Sequence, residues 1–340
     1  MGTLRTNATI VGMGFRISTM LTQVCGFSQS LDIVKGKYLG PAMLRFMRHP
    51  AESLEWVNAK SGEMLNRRNA LDRDIRDGVR KLMGKHGAKA WVQSKAFAGI
   101  GLFDAIVSVP TWMGGYEQAK AEGLSEKDAV ASGDRAVRLS QGSGGAKDLA
   151  AVQRSNDFMK LFTMFYSYFS VLYNRLRNMG RLKNIDEITW CDVAWKSFIM
   201  VMVPAIMGDL ITGRGPDDDE DYAGWVIRKI LAYPFMAIPF LRDIVNSTAS
   251  GRPYSMTPVS RVFEMTAKLP SQIEAVADNE KELSDLLFQV FDAPGYAFGL
   301  PTGQARTTTK YIWDLTEGNI QAEDLGDVLK GLAFGQKKGK

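Results

Sequence analysis

The sequence is poor in the residues from which most catalytic and metal sites are made. Histidine occurs only at His49 and His86. A serine triad needs a His between nucleophile and acid, and there is almost none to supply it. Cysteine occurs only at Cys25 and Cys191. That count excludes a disulfide framework, and apolar neighbours make both expected buried free thiols. Neither a Cys-x-x-Cys pair nor a His-Glu-x-x-His run is present, so zinc is not expected. Alternating Val/Ile/Thr runs between turn residues are scarce, which argues against sheets. No repeat of fixed period is visible. Residues 1–30 do not read as a secretory leader, because Thr, Gly and Arg interrupt their apolar run.

Three short segments resemble functional motifs and fall short of them. Gly26-Phe-Ser-Gln-Ser30 departs by one residue from the nucleophile-elbow pattern and lies in helical context rather than between a strand and a helix. Gly142-Ser-Gly-Gly-Ala-Lys147 lacks the spacing and the Gly-Lys-Ser/Thr end of a phosphate loop, and reads as a flexible turn. The acidic run Asp217, Asp218, Asp219, Glu220 and Asp221 reads as a solvated loop rather than a cation site. No catalytic, cofactor-binding or metal-ligating residue is therefore assigned, and no enzyme is expected.

What the chain does have is helical periodicity, with 17 Met, 17 Phe, 10 Tyr and 7 Trp among its 340 residues. The net charge is +5 and the pI about 9.0. Such a balance permits nonspecific contact with DNA phosphates or with an anionic membrane but demands neither. The pattern predicts an all-α, extended multi-helix assembly with interrupted amphipathic and apolar helices and a Pro-rich C-terminal third. Three parts are expected: amphipathic and charged helices over 1–90, an apolar helical core over 91–248 with an acidic loop at 213–221, and Pro-interrupted short helices with a basic tail over 249–340.

Within the first part, residues 3–35 read as one or two helices with a possible break at Gly26. A short helix over 39–48 is ended by His49-Pro50. Residues 51–85 read as one long solvated helix, with Arg67, Arg68, Asp72, Arg73, Asp74, Arg76, Asp77, Arg80 and Lys81 forming i,i+4 pairs. A helix over 89–109 is expected to stop at Pro110, with a second over 111–122. Ser125 and Asp128 form a capping-box start for the next, over 125–139.

The middle of the chain holds its greasiest elements. Over 158–173 the polar residues Lys160, Thr163, Ser167 and Ser170, continued by Asn174, fall at three- and four-residue steps. They form one narrow seam on a cylinder that carries Phe158, Phe162, Phe165, Tyr166, Phe169 and Tyr173. Arg175, Arg177, Arg181 and Lys183 follow, where they suit the helix dipole or lipid headgroups. A hairpin over 193–247 carries Trp195, Phe198, Trp225, Phe235 and Phe240. Lys196, Asp209, Arg228, Lys229 and Arg242 cut it into uncharged runs of about 12 residues, shorter than the roughly 20 a span requires. A charge at mid-bilayer costs at least about 2.5 kcal/mol. These are not ordinary spans. They read either as core helices of a soluble assembly or as amphipathic helices that insert conditionally, with the named aromatics facing lipid or a neighbouring subunit.

Several segments follow one another in a distinctive order. They are Pro110-Thr-Trp-Met-Gly-Gly-Tyr-Glu-Gln-Ala-Lys-Ala-Glu-Gly123, then Ala136-Val-Arg-Leu-Ser-Gln-Gly-Ser-Gly-Gly-Ala-Lys-Asp-Leu-Ala-Ala-Val-Gln-Arg154. Lys160-Leu-Phe-Thr-Met-Phe-Tyr-Ser-Tyr-Phe169, Gly299-Leu-Pro-Thr-Gly-Gln304 and Leu332-Ala-Phe-Gly335 complete the series. In this order, from about Leu4 onward, the chain resembles the C-terminal region of large polyvalent proteins of tailed bacteriophages, themselves similar to internal virion or DNA-ejection proteins. The resemblance implies a protein stored in the virion and delivered with the genome to the host cell envelope. There it would assemble with copies of itself or with other virion proteins. On that reading Lys196 and Asp209 oppose premature insertion, and Pro204, Pro234 and Pro239 limit helix rigidity. A purely structural soluble component contacting portal or core proteins is the alternative, and an uncharacterised enzyme the third reading.

Overall fold

The computed structural model describes residues 2–67, 91–141 except 93, 94 and 97, 190–211, 215–216, 221–232 and 283–335, with isolated positions between 245 and 278. Among the described residues every regular element is a helix and no strand occurs. The protein is all-α.

Helix α7, Ala98–Ala121, is the axle of the fold. Positions 107–116 along it are buried without interruption. A helix buried on every side needs neighbours on every side, and small residues let them close in. On one side Gly115 meets Gly133 and Ala136 of α8, Glu126–Ser140, while Gly133 lies flat against the Trp112 ring. On another, Gly114 presses on the backbone of Leu39 in α4, Gly36–Arg48. Trp56 of α5, Pro50–Lys60, closes a third side. Its ring stands edge-on to both Trp112 and Tyr116, which stack on each other at 5.3 Å. Trp112 is fully buried, and its indole Nε1–H donates to Asp134 Oδ1 at 2.7 Å. A buried indole donor without such a partner is costly.

This all-round burial explains why α7 does not stop at Pro110. Proline removes one helical hydrogen bond and costs about 3 kcal/mol inside a helix. Ten buried positions around it outweigh that. The two helices expected on either side of Pro110 are one.

The charged segment after Pro50 also differs from expectation. It breaks at Ser61, whose backbone is extended and whose hydroxyl caps Met64 N at 3.0 Å while donating to Asp134. Helix α6, Gly62–Arg67, follows and brings Arg67 to α7. Arg67 is not in a solvated row. It forms a two-pronged ion pair with Asp104 of α7, both contacts 3.0 Å, with each side chain about one-tenth exposed. The residues expected to pair beyond Arg67, at 68–85, lie outside the described residues.

The N-terminal segment bends through 78° between Asn7–Met13 and Ile17–Ser30. The bend falls at Gly14-Phe15-Arg16, where Phe15 has φ +55° and its N–H donates to Ala96 O, rather than at Gly26. It separates α1, Gly2–Met13, from α2, Ile17–Thr22, and a turn of 3-10 helix then leads into α3, Gly26–Ser30.

The first and last parts of the chain are clasped together. Asn7 Nδ2 donates to the carbonyls of Tyr296 at 2.7 Å and Ala297 at 3.1 Å, at the end of the helix Ala293–Phe298. Arg16 Nη1 donates to Gly303 O at 3.0 Å, at the start of the helix Thr302–Thr316. Gln304 in turn donates to the carbonyls of Leu332 and Ala333, both at 3.1 Å, at the end of the helix Leu325–Phe334. Elements of the N-terminal part thus pack both on α7 and α8 and on the C-terminal helices.

Two glycine substitutions should move stability in opposite directions. A Cβ at Gly133 would sit 2.8 Å from the Trp112 ring. Gly133→Val is expected to lower the free energy of unfolding by about 1–3 kcal/mol. At Gly101, in the same axle, a Cβ meets nothing within 4 Å, and Gly101→Ala should add about 0.5–1 kcal/mol. Urea-denaturation midpoints measure both.

Candidate interaction surface

The segment 190–211 is helical throughout and changes pitch once. Trp190–Ser197 is α-helical, Phe198–Met202 is a π turn, and Val203–Ile211 is α-helical again. The sequence supplies the cause. The Met200 carbonyl would take its helical hydrogen bond from the residue four positions on, and that residue is Pro204, which has no N–H and whose ring crowds the same carbonyl. The helix widens there, as helices do at π bulges. The Gln29 side chain, 1% exposed, donates from Nε2 to Met200 O at 3.2 Å.

One side of this helix is buried against the N-terminal helices through Ile199, Met200, Pro204 and Ala205. Among the described side chains, the exposed ones on this helix are uncharged. Cys191, Ala194 and Trp195 follow at helical spacing before the π turn, Phe198 opens it, and Met207 and Leu210 come after it. Trp195 is 54% exposed and Phe198 45%, with their rings 6.2 Å apart. The two charges expected to stand alone on this arm are both paired. Lys196 Nζ lies 3.7 Å from Asp32 Oδ1, and Asp209 Oδ2 lies 2.7 Å from Lys229 Nζ on the second arm.

The second arm, Tyr222–Ala232, starts on a side-chain cap, with Asp221 accepting from Gly224 N at 2.8 Å. Ala223, Ile227 and Leu231 form its exposed four-residue stripe, with Tyr222 and Arg228 also exposed. Trp225 differs from expectation. It is 3% exposed, turned inward against the chain rather than outward, and Tyr222 takes the exposed position beside it at 5.8 Å.

Of the residues expected to face lipid or a subunit, Trp195 and Phe198 are therefore exposed on one line and Trp225 is not. Phe158, Phe162, Phe165, Tyr166, Phe169, Tyr173, Phe235 and Phe240 lie outside the described residues, as do Arg175, Arg177, Arg181 and Lys183 and the segment 142–147. Of the acidic run only Asp221 is described, as a helix cap. Met207, Leu210, Ile227 and Leu231 complete the exposed faces and carry no aromatic ring to mark them in the sequence. Their four-residue spacing was the available signal on the second arm. On the first, the π turn hid it.

Among the described residues, no single helix is long and apolar enough to cross a membrane, although Asn7–Met13 and Ile17–Ser30 together pass that test as a bent pair. No group of three or more His, Cys, Asp and Glu residues among them is arranged to hold a metal. Ser28, the central residue of the elbow-like segment, is buried and donates to Cys25 O at 2.8 Å, which occupies it in the backbone of its own turn. Comparison of the chain with protein-family models, with curated proteins and with solved structures finds no match.

The cysteines divide where the sequence suggested two alike. Cys25 is buried and Cys191 exposed on the apolar line. Burial pushes the Cys25 thiol up to about 11 and keeps it in the unreactive protonated form near neutrality. Maleimide at pH 7 should label one thiol per native chain, at Cys191, and the second only after denaturation. Peptide mass mapping would show this.

Proposed function

We propose that this chain is a module of a phage internal virion or DNA-ejection protein that lays the 190–232 hairpin on the host envelope and assembles there with copies of itself. The proposal gives it no catalytic role. The observation that carries the reading is the uncharged exposed line of Cys191, Ala194, Trp195, Phe198, Met207 and Leu210, on a helix whose Lys196 and Asp209 each have an ion-pair partner in the same chain. A surface of this kind suits the interfacial zone of a bilayer, where an amphipathic helix sinks about 5–10 Å. The ordered motifs that resemble phage ejection proteins supply the biological setting.

The size of the face sets the strength of the contact. Fully burying a large apolar side chain stabilises by about 1.5–3 kcal/mol, so one already half covered has about 1 kcal/mol left to gain. Trp195, Phe198, Met207, Leu210, Ile227 and Leu231 together then contribute roughly 6 kcal/mol. That resembles one myristoyl chain, whose membrane binding is marginal and reversible. A single copy should therefore bind transiently, and several assembled copies should hold.

The full chain should float with phosphatidylcholine–phosphatidylglycerol vesicles at low salt. Trp195→Ser with Phe198→Ser removes about 2 kcal/mol and should lower the partition coefficient roughly thirtyfold. A wild-type chain that stays at the bottom of the gradient overturns the membrane reading and favours the structural virion role.

A further inference from the structure

The π turn of the first arm has a consequence for the composition of the exposed face. Trp195 and Met207 are twelve residues apart, and so are Phe198 and Leu210. In an unbroken α-helix twelve residues at about 100° each leave the later member of each pair about 120° round the axis from the earlier one. The two halves of the apolar line would then point in different directions. A π turn absorbs one residue. The remaining eleven bring each pair to within about 20° of alignment, and the exposure of Trp195, Phe198, Met207 and Leu210 agrees with one shared face.

The absorbed residue also decides where a charge goes. Without it, each residue of Val203–Ile211 would take the place now held by its successor. Asp209 would move into the exposed place of Leu210 and leave its 2.7 Å contact with Lys229. Met207 would move into the place of Gly208, and Ile206, half-buried at present, would take the exposed place of Met207. The apolar line would gain a carboxylate at its end.

Two residues hold the slip. Pro204 withholds the N–H that α-helical geometry would give to Met200 O, and Gln29 gives that carbonyl a donor from a different helix. We infer that Gln29 and Pro204 are positioning residues for the exposed face: by stabilising the one-residue slip at Phe198–Met202 they put Leu210 rather than Asp209 on the line with Trp195 and Phe198. The register stands on the geometry alone. Its value to the protein rests on the reading of this face as the bilayer contact.

The test separates the two. In a Cys191→Ser background carrying Ile206→Cys, the alkylation rate at position 206 reports the register. Gln29→Leu with Pro204→Ala should relax the turn to α-helix and speed alkylation several-fold, as position 206 moves from its half-buried place into the exposed place now held by Met207. Deleting Val201 in that same variant removes the surplus residue and should restore the slow rate without any π turn. Pro204→Ala alone, with Gln29 retained, should fall between. Far-UV ellipticity and continued protection of Cys25 report that each variant is folded. If the Gln29→Leu, Pro204→Ala variant unfolds, Pro204→Ala with and without the Val201 deletion reads the same register. An unchanged rate in the relaxed variants, or a deletion that fails to restore it, overturns the inference. Flotation of the same set, made without the Ile206→Cys change, reads the second question: loss in the relaxed variant and recovery on deletion tie the register to the vesicle surface. A wild-type chain that does not float sinks the membrane reading and leaves the alkylation result to stand or fall by itself.

Discussion

Backbone carbonyls at interrupted helices are the constraint around which this fold is organised. Each helix C-terminus leaves acceptors without partners, and burying one unpaired carries a cost comparable to a lost hydrogen bond. This chain breaks its helices often and buries many of the breaks. It answers with long, uncharged carboxamides brought from far away in sequence. Asn7 reaches Tyr296 and Ala297, Gln29 reaches Met200, and Gln304 reaches Leu332 and Ala333. A carboxamide suits this task because it brings two N–H donors without the desolvation penalty of a charge. These contacts act as joints. They fix where the short helices sit relative to one another, and the apolar faces follow from that.

The sequence was most readable where local chemistry decides the structure. Ser125 and Asp128 mark a helix start, and the structure places a side-chain cap there, with Asp128 N donating to Ser125 Oγ. His49-Pro50 marks a stop, and one helix ends and another begins at it. It was least readable where tertiary burial overrides local preference. Pro110 is a helix breaker by local rules, yet it sits in the middle of α7 because every side of that helix is packed. Arg67 looks like one more member of a solvated charge row until Asp104, 37 residues away, takes both its prongs. The bend at Phe15 depends on Ala96 O, which no local pattern announces.

The exposed face shows the same division. Trp195 and Phe198 stood out because aromatic residues on an interrupted apolar helix are visible in sequence. Met207 and Leu210 did not, because a wheel drawn with 3.6 residues per turn places them on another side. The slip that realigns them comes from a proline four residues after a carbonyl and a glutamine some 170 residues earlier. Trp225 reads like its aromatic neighbours and yet turns inward, since its place on the second arm is set by the packing of the two arms rather than by its own chemistry. Among the described residues, the glycine-rich segments at 110–123 and 299–304 take part in such packing. Trp112, Gly114 and Gly115 pack the axle, and Gly303 and Gln304 receive and extend the N-terminal clasp.

The clasp between Asn7 and the helix Ala293–Phe298 spans 289 residues. A ribosome adds about 5–20 residues per second, so roughly 15–60 s pass between the emergence of Asn7 and that of its acceptors. Throughout that interval Val11, which is buried in the finished molecule, lacks the Gly295 and Gly303 it packs beside. The nascent chain carries a sticky segment until the helices that hold them emerge, and chaperone occupancy there is the natural companion of this topology.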